Sequence, residues 1–238
     1  RANTWTVIGA GGGGLAMAAY IALKGERVKL YNHRPERLRP LQRSGGIHVQ
    51  GVFRDFAPLA LATTDMASAL EGADFIMIVV PANAHAALAR KCAPYLADGQ
   101  TIILNPGRTG GALEFAHQLE LAGATAEVTV AEAQTFLFAS RVTGPAEVTI
   151  YGKKRAVALA ALPAVKTRQL VDRLNTVIPE FVPAENVLET SLMNIGAIFH
   201  PAPTILNAAR IEGPSQPFEY YRQGASSSVA ALLEPLDR

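Results

Sequence analysis

One cysteine, Cys92, is all that the 238 residues hold, so no internal disulfide is available and the chain suits a reducing compartment. No apolar run approaches the roughly 18 residues of a membrane-spanning helix, and no signal peptide is visible in these residues. Blocks of like charge are missing as well. The 22 Lys and Arg against 20 Asp and Glu leave a formal charge of +2, too little to argue for nucleic acid or an anionic membrane as partner. Internal repeats, low-complexity segments and an expected metal site are likewise missing. These absences leave a soluble, cytoplasmic, globular protein as the expectation. Its 49% hydrophobic content and length allow one large domain or two modest ones. The ends read as incomplete: residue 1 is Arg rather than Met, and SSSVAALLEPLDR opens a helix with no closing glycine or proline, so continuation beyond Arg238 is expected.

Thr4 to Ile8 is a short β-prone run that stops at VIGAGGGGLA. Small apolar residues from Leu15 to Leu23 predict a buried helix ended by Lys24-Gly25, and Val28 to Tyr31 a second strand. Together they make a βαβ unit. Alternation around Gln50-Gly51 predicts an inserted hairpin, followed by a helix over Met66 to Leu70. The runs FIMIVV (75–80) and TIIL (101–104) are continuous and apolar, as parallel strands covered on both faces must be. Helices are predicted over 84–96, 112–121 and 166–177, a strand over 127–131, and an antiparallel pair over 147–151 and 155–160. From Ala184 onward helical patterning with prolines replaces strand signals. The fold class is α/β: a Rossmann-type doubly wound, mainly parallel sheet domain over 1–183, then an all-helical domain starting at 184 and incomplete within 184–238.

Gly9, Gly11 and Gly14 spell G-x-G-x-x-G between a strand and a helix. The first allows the tight turn, the second lets a pyrophosphate approach backbone, and the third permits close helix–strand packing. Free N–H groups and the positive helix end suit the phosphates. A packing loop without ligand is the bland alternative. Gly9, Ala10, Gly11, Gly12, Gly13 and Gly14 are the cofactor candidates here, with Gly12 and Gly13 demanded by nothing in the motif. An NAD site usually carries Asp or Glu about 20 residues on. Here Asn32-His33-Arg34 stands instead, and Arg34, helped by Arg37 or Arg39, suits a 2′-phosphate, so NADP is expected over NAD. A merely solvated Arg34 is the alternative. Val80-Pro81 and Asn105-Pro106-Gly107 end strands on the side where such sheets bind ligands.

Of five histidines, His200 has the most informative context. Pro201 directly after it disfavours α conformation, and Pro203 fits the first turn of a new helix, so His200 is expected at a helix break. An imidazole there suits proton transfer near neutral pH, although a histidine that simply caps the break fits the spacing equally well. Gly196, one turn earlier, leaves space on the same face, whereas Asn194 points roughly 120° away. His48, His85 and His117 read as structural or solvated.

Several stretches resemble the opine dehydrogenases, the octopine/nopaline dehydrogenase family: VIGAGGGGLAMAAYIALKG, NPGRTGGALEF, AEAQTFLFASRVTGPAEVTIYGKK, LETSLMNIGAIFHPAPTILNAA and FEYYRQGASSSVAALLEPLD. The resemblance implies an NAD(P)-dependent oxidoreductase acting on CH–NH bonds. It would join an amino acid to an α-keto acid by hydride transfer to an imine. His200 falls on the family's catalytic acid/base, whose acidic partner would lie beyond Arg238. Some relatives carry an asparagine where this chain has Gly196. Two substrate carboxylates need cations, and Arg141, Arg210 and Arg222 are candidates that nothing ranks; Tyr220 and Tyr221 line the pocket or belong to the core. A helical domain with apolar faces is compatible with a homodimer. Two alternatives remain: a reductase of the ketopantoate reductase or glycerol-3-phosphate dehydrogenase type, and a non-catalytic NADP-binding module. The first needs a lysine that 184–238 lacks.

Overall fold

The computed structural model describes residues 3–193, 196, 199–213 and 218–236. Among them no helix is long and apolar enough to cross a membrane. The chain divides into two compact units, Arg1–Leu192 and Met193–Arg238.

In the first unit β1 (Thr4–Ile8) runs through the glycine turn into α1 (Gly12–Leu23), and β2 (Arg27–Tyr31) leads to α2 (Pro35–Ser44). An excursion follows: β3 (Gly46–Gly51) and β4 (Asp55–Pro58) form the predicted hairpin, and β5 (Leu61–Thr63) returns to β2. Then come α3 (Met66–Leu70), β6 (Phe75–Ile78), α4 (His85–Cys92), β7 (Thr101–Leu104), α5 (Gly111–Leu121) and β8 (Thr129–Ala133). The unit closes with β9 (Phe138–Gly144), β10 (Glu147–Lys153), β11 (Val157–Leu162), α6 (Thr167–Leu174), β12 (Phe181–Pro183) and α7 (Val187–Leu192).

Eight strands form the main sheet in the order β12-β11-β8-β7-β6-β1-β2-β5. Pairing is parallel from β5 to β8, and only the β11–β8 contact is antiparallel. Strand order reverses at β1, with β2 on one side and β6 on the other, which opens a crevice at their carboxyl ends. Apolar layers cover both faces: Trp5 and Val7 join the layer that includes α1, and Ile8 joins that of α3, α4 and α5.

The second sheet, β4-β3-β10-β9, packs against α1 on the side away from the main sheet. This explains why α1 is apolar all round, buried from Gly14 to Ala22. A link formed by Tyr20 of α1, Lys153 at the end of β10 and the buried Glu180 fastens this layer. The expected antiparallel pair over 147–160 is corrected here: β10 pairs with β9 and β3, while β11 enters the main sheet between β8 and β12. The patterns differ for that reason. EVTIYGK alternates because one face is buried, and VALAAL is continuous because both are. Strands β9 and β12 carry no expectation from the sequence. The unit boundary falls after Leu192 because α7 packs on β8 and β11.

The regular structure of the second unit, among its described residues, is helical: α8 (Pro201–Leu206), α9 (Ala208–Glu212), α10 (Tyr220–Gln223) and α11 (Ser227–Leu236). Asn194 lies outside the described residues.

Candidate functional site

The site begins where β1 runs out. Gly9 has φ +121°, and a Cβ there would stand 2.2 Å from the Val79 carbonyl oxygen, so neither its conformation nor its surroundings admit another residue. Its N–H donates to the Tyr31 carbonyl, 2.9 Å away, which ties the turn to the end of β2. A Cβ on Gly14 would meet the Gly9 oxygen at 1.8 Å, so helix and strand approach through this missing side chain. Around Gly11 the nearest atom is Arg37 Nη1, at 3.9 Å. That face is open, and among the described residues no side chain caps α1, which leaves its N-terminus suited to an anion.

This open face gives onto a cavity of about 600 Å³. Of the residues expected at a cofactor, Gly9, Ala10, Gly11, Asn32, Arg34, Val80 and Pro81 line it together. Asn32 shapes the turn: its Oδ1 accepts from the Arg34 N–H at 2.9 Å, leaving the Arg34 side chain on the rim, where its Nε donates to His33 Nε2. Arg37 donates to the Ala10 carbonyl. No Asp or Glu is among the lining residues. Sequence reasoning missed Lys91, whose ammonium donates to the Tyr31 hydroxyl at 2.6 Å, and Leu88, both on the cavity-facing side of α4. A signal for them exists, since Ala84, Ala87, Leu88 and Lys91 recur at helical spacing.

Gly12, Gly13 and Gly14 do not line the cavity. Gly12 faces the β9 backbone, and Gly13 faces the Phe136 ring and Val79, each at 3.0–3.1 Å from a Cβ position. Asn105, Pro106 and Gly107 also lie outside the cavity lining. Asn105 is buried, with its Nδ2 donating to the Ile103 carbonyl. Their loop is held from below by Glu132, which is fully buried. Glu132 Oε2 accepts from the Ala112 N–H at 2.7 Å, and Oε1 from Thr190 and Ser191 at 2.6 and 2.7 Å. Ser191 Oγ in turn accepts from the Gly110 N–H. Gly107 approaches so closely that a Cβ would lie 2.2 Å from Glu132 Oε2.

In the second unit His200 is exposed at the start of α8, yet not outside helical conformation: its φ of −91° and ψ of −45° are right-handed helical, contrary to the expectation from Pro201. Hydrogen bonds explain this. Its N–H donates to the Gly196 carbonyl and its own carbonyl accepts from Thr204, so helical pairing on both sides outweighs the proline's steric preference. The imidazole Nδ1 lies 3.3 Å from the Tyr221 hydroxyl. Tyr221 is 66% exposed and therefore no core aromatic. Arg210 stacks on Phe218 with its guanidinium carbon 4.0 Å from the ring centre and donates to Gln223, and Arg222 pairs with Glu219 at the surface. Arg141 belongs to the first unit, exposed on the edge strand β9.

Comparison with known proteins places this geometry. Residues 183–238 match the family described as NAD/NADP octopine/nopaline dehydrogenase, alpha-helical domain. Residues 4–118 match NAD-dependent glycerol-3-phosphate dehydrogenase N-terminus. The chain is 44% identical to an opine dehydrogenase of Arthrobacter sp. (strain 1C) over 238 residues, all of this chain and 66% of that protein. An octopine dehydrogenase solved with NADH and L-arginine superposes with a TM-score of 0.76 at 22% identity, covering 97% of this chain and 60% of its own. A yersinopine dehydrogenase with NADP+ bound gives 0.77 at 20%, covering 98% and 61%. The chain thus spans slightly less than two thirds of each. With a Rossmann-type glycine turn at one end, a match to the octopine/nopaline dehydrogenase helical domain at the other and 44% identity to an opine dehydrogenase along the whole of this chain, the chain belongs to the opine dehydrogenase family.

Proposed function

We propose that this chain is the cofactor-binding and first substrate-binding part of an NAD(P)H-dependent opine dehydrogenase. The enzyme would reductively condense an amino acid with an α-keto acid. The observation that carries the reading is the open α1 N-terminus at Gly11, held by a turn that tolerates no Cβ at Gly9 and giving onto a cationic cavity. The residues present fit a dinucleotide. Free N–H groups of α1 would hold its pyrophosphate, and the cavity between β2 and α4 would take the adenosine half. NADP is the preferred form in this reading, because Arg34, His33 and Lys91 meet no carboxylate at the rim. Residues 1–183 would hold the cofactor, and the helical part from 184 would carry substrate.

When bound, the nicotinamide supplies a hydride for the imine carbon. The protein's share is orientation and proton transfer. His200 would act as general acid/base through Nε2, with its Nδ1 oriented by Tyr221. Arg141 pairs with no carboxylate among the described residues and is available to that of a substrate, whereas Arg222 would first have to leave Glu219.

The test is NADPH oxidation by the full-length enzyme across pairs of amino acids and α-keto acids. Turnover only when both are supplied is expected. Turnover with a keto acid alone would point to a simple reductase, and tight NADPH binding without any turnover to a binding module. His200→Ala should lower kcat by about 10²–10⁴-fold with NADPH affinity unchanged. Undiminished turnover would remove His200 from catalysis.

A further inference from the structure

Two exposed cations, Arg108 and Lys154, sit on segments anchored at the same strand end. Arg108 lies in the 105–111 loop at the carboxyl end of β7, with a φ of 63° that side-chain-bearing residues rarely adopt. The Gly107 N–H donates to the Ala133 carbonyl at 3.1 Å, fixing this loop against the carboxyl end of β8. Lys154 reaches the same place from the segment after β10. Its N–H donates to the Leu137 carbonyl at 2.9 Å, and its ammonium to Thr135 Oγ1 at 2.7 Å, just past the end of β8. Burial lowers the pKa of Lys154, and the neighbouring Arg108 charge lowers it further.

Neither side chain pairs with a carboxylate among the described residues. The nearby Glu132 has both oxygens engaged beneath the loop. Two like charges placed at one strand end repel, and a bound anion would relieve that repulsion.

We propose that Arg108 and Lys154 together bind a substrate carboxylate at the carboxyl ends of β7 and β8. The inference rests on the oxidoreductase reading above and names a part of its substrate site. Position favours substrate over cofactor phosphate. The cavity fit for adenosine spans β1, β2 and the end of β6. In the sheet order β8 is three strands beyond β1, about 14 Å at the usual strand spacing, on the side away from β2. A dinucleotide crossing the switch point directs its nicotinamide toward that side, where the reacting acid must lie.

The experiment uses the full-length enzyme with Arg108→Gly, Lys154→Met and Lys154→Arg. KM is measured for the keto acid and the amino acid separately, NADPH Kd by fluorescence, and pyruvate binding to the enzyme–NADP+ complex by calorimetry. Arg108→Gly suits the local backbone, so its Tm should not fall. Arg108→Gly and Lys154→Met should each raise KM for one of the two acids at least tenfold and leave NADPH Kd within twofold, and Lys154→Arg should restore most of the loss. Whichever KM moves identifies whose carboxylate is bound. Unchanged KM values for both acids would overturn the proposal, as would an NADPH Kd rising in step, which would assign the pair to a cofactor phosphate. If no amino acid and keto acid pair turns over, the dehydrogenase reading fails and calorimetry still decides the pair. Pyruvate binding lost in the variants supports it; binding equal in wild type and variants, or none to wild type, overturns it.

Discussion

The Cα of Arg141 lies 3.1 Å from where a Cβ on Gly12 would stand, and the Ser140 carbonyl oxygen 3.0 Å from it. The second sheet is therefore seated directly on the glycine turn, and Ser140 Oγ fastens the contact by donating to the Gly12 carbonyl at 3.0 Å. A methyl at Gly12 must push edge strand β9 away by a few tenths of an ångström. Gly12→Ala is expected to destabilise the protein by about 1–3 kcal/mol, the usual range for overpacking. Gly14→Ala, which places its Cβ 1.8 Å from the Gly9 oxygen, should cost more. Urea unfolding midpoints rank the two, and an unchanged midpoint for Gly14→Ala would refute the packing account.

Cofactor choice is a second expectation. Arg34 stands on the rim of a cavity with no lining carboxylate, its Nε donating to its neighbour His33. Losing a charge-assisted contact to a 2′-phosphate costs about 1.5–3 kcal/mol, roughly 10–100-fold in affinity. Arg34→Ala should weaken NADPH by that factor and NADH little, as read by fluorescence titration of both. Equal weakening of the two would assign Arg34 to something other than the 2′-phosphate.

Buried His85 gives the first unit a pH-dependent stability. Burial lowers its pKa below the ordinary 6.5, opposed by a hydrogen bond with the Val80 backbone, and Nε2 has no partner among the described residues. As pH falls through about 6.5, the unfolded chain takes up a proton that the folded chain resists, so stability is lost on the acid side. His85→Gln should flatten the fall in unfolding midpoint between pH 7 and 5. Parallel curves for the two proteins would exclude His85 as the titrating group.

What is legible in the sequence follows the range of the interactions. The G-x-G-x-x-G spacing is a local signal, and the Gly14–Gly9 contact lies within one strand–turn–helix, although Val79 and Tyr31 complete the surroundings of Gly9. The parallel strands announce themselves by continuous apolar runs. The roles of Gly12 and Gly13 are invisible there because β9 and Phe136, more than 120 residues on, supply the contacts. The strands over 147–160 mislead for the same reason: proximity suggests a hairpin, and the partners Val49 and Ala133 lie far away in sequence. His33, Arg34 and Lys91 converge through tertiary placement of α4 against β2, and only the first two are adjacent in the chain. At His200 a local proline rule stands against helical hydrogen bonds from both flanks, and the hydrogen bonds prevail.

Glu132 is the buried carboxylate on which the 105–111 loop depends. Its two oxygens take three hydrogen bonds, from the first turn of α5 and from Thr190 and Ser191 of α7. Truncation to alanine would leave the Ala112 N–H and two hydroxyls buried without their acceptor and open space beneath Gly107. Each buried donor left unsatisfied costs about 1–3 kcal/mol, so the truncation should cost several kcal/mol. Glu132→Gln keeps the shape but offers one oxygen where two are used, so it must leave either the Ala112 N–H or the hydroxyl pair unsatisfied. Its loss should be smaller, on the order of 1–3 kcal/mol. Hydrogen exchange at Ala112 and Gly110 distinguishes a local effect from global loosening. Faster exchange at these two amides in Glu132→Gln, with protection retained in β1 and β6, is expected. Unchanged exchange at both would show that the carboxylate does not hold the loop.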